Sequence, residues 1–355
     1  MNHHVPLLPA ASRLAAPAPA LDSPMAKLDA DMRFVLETHA RMRSVPLELT
    51  SPRLARRQPD LEAAMGRILE RSTARPSRDT VSCERISVPG AGGDLRALFV
   101  RPNNTASGPL PIIVWLHDGL FVSSDATPSE TVPRMLAQRC GAIVVAPGYR
   151  QAPEHPFPAA HEDALAVWKW LMHAAAPLGG DKHLVALAGE GSGANLALNV
   201  ALDGAKATGV SPKHLMMVSP VAQAVHEPDA PTGSWREARP LGTATVRWAL
   251  RQLLQDVKDS EDPRINLVGR KDYKTLPETT LLLAEIDPLL GEGKALAAAI
   301  ARSGASIETS IYDGVSHGFF ALAAVVNKAM FAQAQATSRL NRSFRERRQS
   351  LPLKA

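Results

Sequence analysis

The feature of this sequence that most constrains its fold is a series of short apolar runs that alternate with helical segments. Runs such as PIIVWL, LVALA and LLLA are continuously apolar, as expected of strands covered on both faces of a parallel sheet. Segments with helical periodicity separate them, and SCERISVPG and DLRALFVRP flank a glycine-rich turn that indicates an opening hairpin. This order predicts an α/β fold with a mostly parallel sheet of about eight strands and helices on both faces.

Composition excludes several other classes of protein. With 45% hydrophobic and 21% charged residues, the 355-residue chain has the balance of a globular protein. Its net charge of +5 is small, so we expect no nucleic-acid partner. No apolar run reaches the roughly 18 residues of a membrane span. Cys83 and Cys140 lack metal-site spacing, so we expect buried thiols in a reducing compartment and a cytoplasmic location.

The chain divides into three parts. Residues 1–24 are rich in Ala and Pro and lack the apolar core of a signal peptide, so a flexible extension is expected there. Residues 25–340 are predicted to form a single α/β domain, and residues 341–355 a basic tail. Within the domain, residues 221–260 break the strand–helix alternation and predict an insertion over the carboxyl edge of the sheet, where ligands bind in this architecture.

Three later strands end in residues that suggest acid–base chemistry. LVALA runs into Gly189-Glu190-Gly191-Ser192-Gly193 and then a helix, while Asp287 and His317 each follow a later strand. The chain order of glycine-rich elbow, Asp and His is typical of α/β-hydrolases. In that arrangement the Asp orients the His, which acts as general base on a group at the elbow.

The chain resembles the hormone-sensitive-lipase-like branch of the α/β-hydrolase superfamily, the microbial carboxylesterases. The most specific match is YRQAPEHPFPAA at residues 149–160, and the resemblance extends over roughly residues 25–335. It implies an α/β-hydrolase fold, with Asp287 as the triad acid and His317 as the base. It also implies a helical cap from residues 25–80 and 221–260, a small apolar ester or related ligand, and no cofactor. A homodimer is left open.

The elbow departs from the pattern of this family. Where the family has G-D-S-A-G-G-N-L-A, this chain has G-E-G-S-G-A-N-L-A, and Asn195-Leu196-Ala197 fix the register so that Gly191 holds the nucleophile position. Glycine adopts positive φ readily, so we expect the turn to form without the serine oxygen. Ser192 as a substitute nucleophile would need glycines at 190 and 194. The pattern favours instead a role for the backbone N–H of Ser192 in the oxyanion hole.

The oxyanion loop departs as well, since the family's H-G-G-G is replaced by His117-Asp118-Gly119-Leu120. The predicted oxyanion hole consists of the N–H groups of Gly119, Leu120 and Ser192, with the negative charge of Asp118 nearby. Loss of one oxyanion donor typically costs about 10²–10³ in rate, and loss of a serine nucleophile costs about 10⁶. We therefore expect weak or no hydrolysis of small carboxylic esters.

Several alternatives remain open at this stage. The chain could be an active carboxylesterase, through Ser192 or in a parent protein with serine at 191. It could use the Asp287–His317 pair as a lyase or cyclase, or bind a ligand as a pseudoenzyme; the resemblance offers precedent in a plant hormone receptor and in dehydratase- or cyclase-type enzymes. Gly189-x-Gly191-x-x-Ala194 also fits a dinucleotide fingerprint, but the next strand ends in Ser219-Pro220 without the required acid. Neither a nucleotide nor a metal is expected.

Overall fold

The sheet has eight strands and is mostly parallel, as predicted from the sequence. The computed structural model describes residues 24–42, 45–70, 80–103, 108–124, 128–224 and 239–350, with side chains up to residue 345. In spatial order β1-β2-β4-β3-β5-β6-β7-β8, β2 runs antiparallel to both of its neighbours and the remaining pairs are parallel. The strands are β1 (Val81–Gly90), β2 (Gly93–Pro102), β3 (Leu110–Leu116), β4 (Ile143–Pro147), β5 (Gly180–Glu190), β6 (His214–Val218), β7 (Glu278–Ile286) and β8 (Ile307–Ser316).

The helices cover both faces of this sheet. Alternate residues of β3 point to opposite sides: Ile112 packs in one apolar cluster with Trp168, whereas Ile113 packs in the other with Leu136. The continuous apolar runs thus arise because central strands such as β3, β4 and β6 are buried on both sides. The helices are α1 (Ala30–Arg41), α2 (Pro52–Ala55), α3 (Leu61–Leu69), α4 (Thr131–Cys140), α5 (Ala159–Ala174), α6 (Ser192–Thr208), α7 (Thr243–Leu253), α8 (Leu290–Arg302) and α9 (Asn327–Ser350).

The two ends of the domain compare differently with the sequence prediction. Of the predicted extension at residues 1–24, all but Pro24 lies outside the described residues. At the other end α9 continues to Ser350, so the first ten residues of the predicted basic tail are helical. None of the helices in the described ranges is long and apolar enough to cross a bilayer.

The turn between β5 and α6 forms a tight elbow built on glycines. Gly191 has φ 53° and ψ −117°, a conformation that is strained for other residues. A Cβ at Gly193 would collide with the carbonyl oxygens of Leu116 and His117, because α6 packs closely against the end of β3. The sequence prediction that glycine lets this turn form without a serine agrees with the structure.

The segment YRQAPEHPFPAA is fixed beside the sheet by a buried carboxylate. Asp163, fully buried at the start of α5, accepts hydrogen bonds from the backbone N–H groups of Ala91 (2.9 Å) and Arg150 (3.0 Å) and from Arg150 Nε (2.9 Å). In the same segment Glu154 forms a two-pronged ion pair with Arg56 at 2.9 and 2.7 Å. These contacts connect the segment to the hairpin and to the end of α2.

Candidate active site

The structure brings the predicted acid, base and elbow together at the carboxyl edge of the sheet. Asp287 follows β7, His317 follows β8, and Gly191 lies at the end of β5. Asp287 Oδ2 is 2.7 Å from His317 Nδ1, and Asp287 Oδ1 accepts a hydrogen bond from the backbone N–H of Leu289 at 2.9 Å. This is the contact by which a carboxylate orients a catalytic imidazole.

The other ring nitrogen of His317 contacts a carboxylate in the place expected for a nucleophile. Asp118 Oδ2 lies 2.8 Å from His317 Nε2. A Cβ built on Gly191 would overlap the carboxyl group of Asp118, well inside van der Waals contact. The Asp118 side chain, which reaches over from the loop after β3, therefore fills the space in front of the elbow that a side chain at position 191 would need.

Asp118 also occupies the predicted oxyanion hole. Its Oδ1 accepts hydrogen bonds from the backbone N–H groups of Ser192 at 2.9 Å and Leu120 at 3.2 Å. Leu120 adopts φ 52°, a left-handed conformation that costs a non-glycine residue roughly 1–2 kcal/mol. In this conformation the backbone N–H of Leu120 points at the Asp118 carboxylate. Two of the three predicted donors thus already bind a negatively charged oxygen, and the N–H of Gly119 also stabilises the charge on Asp118.

The charges of this cluster are set by mutual contact. Burial alone would raise the pKa of Asp118, but its hydrogen bond to His317, the positive charge of that ring and the N–H of Ser192 hold the pKa well below its usual value. Burial alone would lower the pKa of His317, but the charge of Asp287 and the hydrogen bonds to both carboxylates raise it well above the usual value. The contacts with both carboxyl groups therefore favour the protonated form of the His317 ring.

Ser192, the alternative nucleophile, contacts other groups. Its side chain is fully buried, and its Oγ lies 3.1 Å from the hydroxyl of Tyr149 and 3.2 Å from Asp118 Oδ1. Both ring nitrogens of His317 are engaged by Asp118 and Asp287. The role of Ser192 that this geometry favours is the one carried by its backbone N–H.

A cavity of about 900 Å³ opens in front of this cluster. Both segments predicted to form the cap contribute to its wall, with Leu36 and His39 from α1 and Leu241 and Thr245 from the second segment. The loops at the carboxyl edge of the sheet contribute Asp118, Glu190 and His317, and the wall also includes Trp115, Val132, Ala321, Glu62 and Arg56. Among the residues that the structure describes, no cluster of His, Cys, Asp or Glu side chains is arranged to hold a metal ion.

Glu190, next to the elbow, is a buried carboxyl group on the wall of this cavity. It is 7% exposed, and its Oε1 has no hydrogen-bond partner among the described residues. Burial raises its pKa to about 8; the positive charge of His317 opposes that shift and the negative charge of Asp118 adds to it. At neutral pH this carboxyl group is therefore mostly protonated, while Asp118 is ionised.

The raised pKa of Glu190 makes the stability of the fold depend on pH. In the native state the pKa of Glu190 is about 8, against 4.5 for an ordinary glutamate side chain. The favourable contribution of this group to the free energy of unfolding is therefore complete below pH 4.5 and is lost as the pH rises through 8. At about 1.4 kcal/mol for each pH unit between the two values, the loss is at most roughly 5 kcal/mol.

We expect Glu190→Gln to reduce the fall in melting temperature between pH 5 and pH 9. Glu37→Gln, on an exposed part of α1, is the control, and an equal slope in Glu190→Gln and the wild type would contradict this assignment.

Reasoning from the sequence located Asp287, His317 and Gly191 but missed the central position of Asp118. From the sequence we expected only that Asp118 adds a negative charge to the oxyanion loop. A signal was present in the pairing of two departures: position 191 has lost a side chain, and position 118 in the facing loop has gained one. Their complementarity is a contact between distant parts of the chain, which a single sequence does not display.

Comparison with known proteins assigns the family. A profile described as "alpha/beta hydrolase fold" matches residues 113–321, more than half of the chain. The chain belongs to the α/β-hydrolase family. Ethyl acetate hydrolase from Pseudomonas putida is 31% identical to this α/β-hydrolase over 223 residues, which are 61% of this chain and 68% of the relative. Carboxylesterase NlhH from Mycobacterium tuberculosis is 30% identical over 243 residues, 66% of this chain and 74% of the relative.

A solved structure agrees with this assignment. The hyperthermophilic esterase from the archaeon Pyrobaculum calidifontis superposes on this α/β-hydrolase with a TM-score of 0.75 at 29% identity, over 89% of this chain and 98% of the esterase. Together with the two relatives, it confirms the resemblance to hormone-sensitive-lipase-like carboxylesterases and the predicted fold. The departures at positions 118, 120 and 191 lie within the region matched by the family profile.

Proposed function

We propose that this α/β-hydrolase binds a small apolar ester or a related small molecule in the cap-side cavity and does not cleave simple carboxylic esters by a serine mechanism. The observation that carries the proposal is the position of the Asp118 carboxylate. It contacts His317 at 2.8 Å and the N–H of Ser192 at 2.9 Å, so it lies where a serine ester hydrolase needs its nucleophile and its developing oxyanion.

Three requirements of ester hydrolysis are unmet in this arrangement. Position 191 supplies no hydroxyl group, and a lost serine nucleophile costs about 10⁶ in rate. The oxyanion donors bind a carboxylate, so a substrate carbonyl would have to displace a charged group that accepts two backbone hydrogen bonds. His317 is protonated between two carboxylates, and an imidazolium cannot accept a proton from a nucleophile.

The cavity supports a role in binding. Its volume of about 900 Å³ lies within the range of small-molecule sites. Apolar side chains such as Leu36, Trp115 and Val132 line it together with a few charged groups, the composition expected of a site for an apolar molecule with one polar end. A cytoplasmic location is part of the proposal and is supported by the free thiols of Cys83 and Cys140.

Ester hydrolysis by the unmodified protein is the direct test. We expect p-nitrophenyl acetate and butyrate to be cleaved at the rate of buffer alone, and a fluorophosphonate probe to leave the elbow unlabelled. Quenching of tryptophan fluorescence, to which Trp115 in the cavity wall contributes, reports whether a non-hydrolysable ester analogue binds. Ser192→Ala is the matched control, because it should change none of these results. Rapid hydrolysis by the wild type that disappears in Ser192→Ala would contradict the proposal.

A further inference from the structure

Glu190 is a buried carboxyl group on the cavity wall with an unused hydrogen-bonding atom. The residue is 7% exposed and lines the cavity, and its Oε1 has no hydrogen-bond partner among the residues that the structure describes. Buried polar atoms in folded proteins are nearly always hydrogen-bonded. Rotation about the last bond of the side chain, which has a broad two-fold profile, turns either carboxyl oxygen toward the cavity. A bound molecule with a complementary polar atom can therefore satisfy this group.

The surroundings of Glu190 keep a proton on its carboxyl group. The carboxyl groups that act on it with negative charge are Asp118 in the loop after β3, Glu62 in α3 and Asp287 after β7. The positive charge of His317, which follows β8, acts in the opposite direction. Burial is the largest of these effects, and the pKa of Glu190 is about 8 as a result. A protonated carboxyl group has an O–H that donates a hydrogen bond, whereas a carboxylate only accepts.

The donors of the predicted oxyanion hole are already engaged by Asp118. Its Oδ1 accepts hydrogen bonds from the backbone N–H groups of Ser192 and Leu120, and its Oδ2 contacts Nε2 of His317. The Asp118 carboxylate itself, with 23% of its side chain exposed, offers a bound molecule acceptors but no donor. An oxygen atom of a ligand in the cavity therefore meets a donor at Glu190 rather than at the oxyanion hole.

We propose that Glu190 determines the specificity of the cavity by donating a hydrogen bond from its carboxyl group to the acceptor oxygen of a neutral molecule, such as an aryl ketone. The inference rests on the proposed function, because it names the class of small molecule that the cavity binds. The ring of His317 is already paired with Asp118 at 2.8 Å, so neither an anionic nor a cationic ligand gains a free counter-charge from this pair. A hydrocarbon leaves the Glu190 O–H without an acceptor.

A series of probes of one shape tests this specificity on the unmodified protein. Acetophenone carries a carbonyl oxygen, and α-methylstyrene has a CH₂ group in its place. We define the ketone preference as the ratio of the Kd of α-methylstyrene to that of acetophenone, measured by equilibrium dialysis. Between pH 6 and pH 9 we expect this ratio to fall by about 3–10-fold, the size of one neutral hydrogen bond, because Glu190 loses its proton as the pH rises through 8. A ratio that is equal at the two pH values would overturn the proposal.

Two substitutions of Glu190 separate its O–H from other groups that titrate. Glu190→Gln retains a donor that does not titrate, so we expect the ketone preference of the wild type at pH 6 and no fall at pH 9. Glu190→Leu has no donor, and its ketone preference at pH 6 should be about 3–10-fold below that of the wild type. Glu84→Gln is the control, because Glu84 is exposed on β1 at the edge of the sheet and lies outside the cavity wall. Equal preferences in Glu190→Leu and the wild type would contradict the assignment.

Charged probes of similar shape test the selection of a neutral molecule. At pH 6 we expect benzoate and protonated 1-phenylethylamine to bind the wild type more weakly than acetophenone does. Tighter binding of either ion would overturn the proposal, since the cavity would then select for charge. Failure of this inference is separable from failure of the proposed function. If none of the probes bound, both would be wrong, whereas binding of acetophenone without a ketone preference that depends on Glu190 would overturn the inference alone.

Discussion

A variant that carries both Asp118→Gly and Gly191→Ser is expected to hydrolyse p-nitrophenyl butyrate, whereas Gly191→Ser alone is not. A serine side chain at 191 would collide with the carboxyl group of Asp118, and that carboxylate would still hold His317 and the oxyanion donors. Removing it frees His317 Nε2 for the new hydroxyl and empties the oxyanion hole. The two changes are therefore expected to act together.

The size of the gain can be estimated from the separate parts. Restoring a serine nucleophile is worth about 10⁶ in rate. The oxyanion hole, in which Leu120 stands in place of a glycine, is expected to reduce this gain by a factor of about 10²–10³. We expect the double variant to exceed the wild type by at least about 10³-fold in kcat/KM, measured with p-nitrophenyl butyrate. A triple variant that adds Leu120→Gly should gain further if the Leu120 side chain obstructs the substrate.

The single variants serve as controls. Asp118→Gly lacks a hydroxyl group and should remain inactive toward esters. Melting temperatures should accompany the rates, because serine at 191 must adopt φ near 53°, which costs about 1–3 kcal/mol. If Gly191→Ser alone were as active as the double variant, Asp118 would not be the obstacle that the geometry indicates.

Asp163→Ala is expected to lower the free energy of unfolding by about 3–5 kcal/mol, the range for removing one partner of a buried ion pair. The change removes the acceptor of two backbone N–H groups and of Arg150 Nε. The Asp163 side chain is fully buried, so its removal leaves these donors without their acceptor in the interior of the protein. Urea denaturation should show a lower midpoint with an unchanged slope.

Glu162→Ala is the matched control for this prediction. Glu162 precedes Asp163 in α5 and also pairs with Arg150, at 3.4 Å, but its side chain is 51% exposed. Exposed pairs of this kind contribute about 0–1 kcal/mol, so we expect a loss of less than about 1 kcal/mol. Equal losses in the two variants would show that burial of the Asp163 carboxylate does not matter.

The sequence predicted those parts of the molecule that depend on local pattern. The continuous apolar runs predicted the central strands, and the hairpin, the elbow and the later helices followed from turn residues and periodicity. The Asp287–His317 contact could be expected because both residues follow parallel strands, whose carboxyl ends meet at one edge of the sheet. These inferences need only the order of elements along the chain.

The sequence did not predict what depends on side chains that meet across the fold. The ion pair of His317 with Asp118 joins residues 199 positions apart, and its formation depends on the direction of the loop after β3. The left-handed conformation of Leu120 is also unexpected, since leucine has no preference for positive φ. The protonated state of Glu190 follows from its burial, which a pattern of letters does not reveal.

The fit between Asp118 and Gly191 makes the two positions interdependent. A side chain at 191 overlaps the carboxyl group of Asp118 in its present position, so that one of the two must move. Without the carboxylate, a glycine at 191 supplies no hydroxyl group on which His317 could act. On the proposed function, neither Gly191→Ser alone nor Asp118→Gly alone therefore creates a serine-dependent centre. This interdependence is an epistatic barrier, because a mutational path from the present arrangement to a serine-dependent one passes through a single variant without esterase activity.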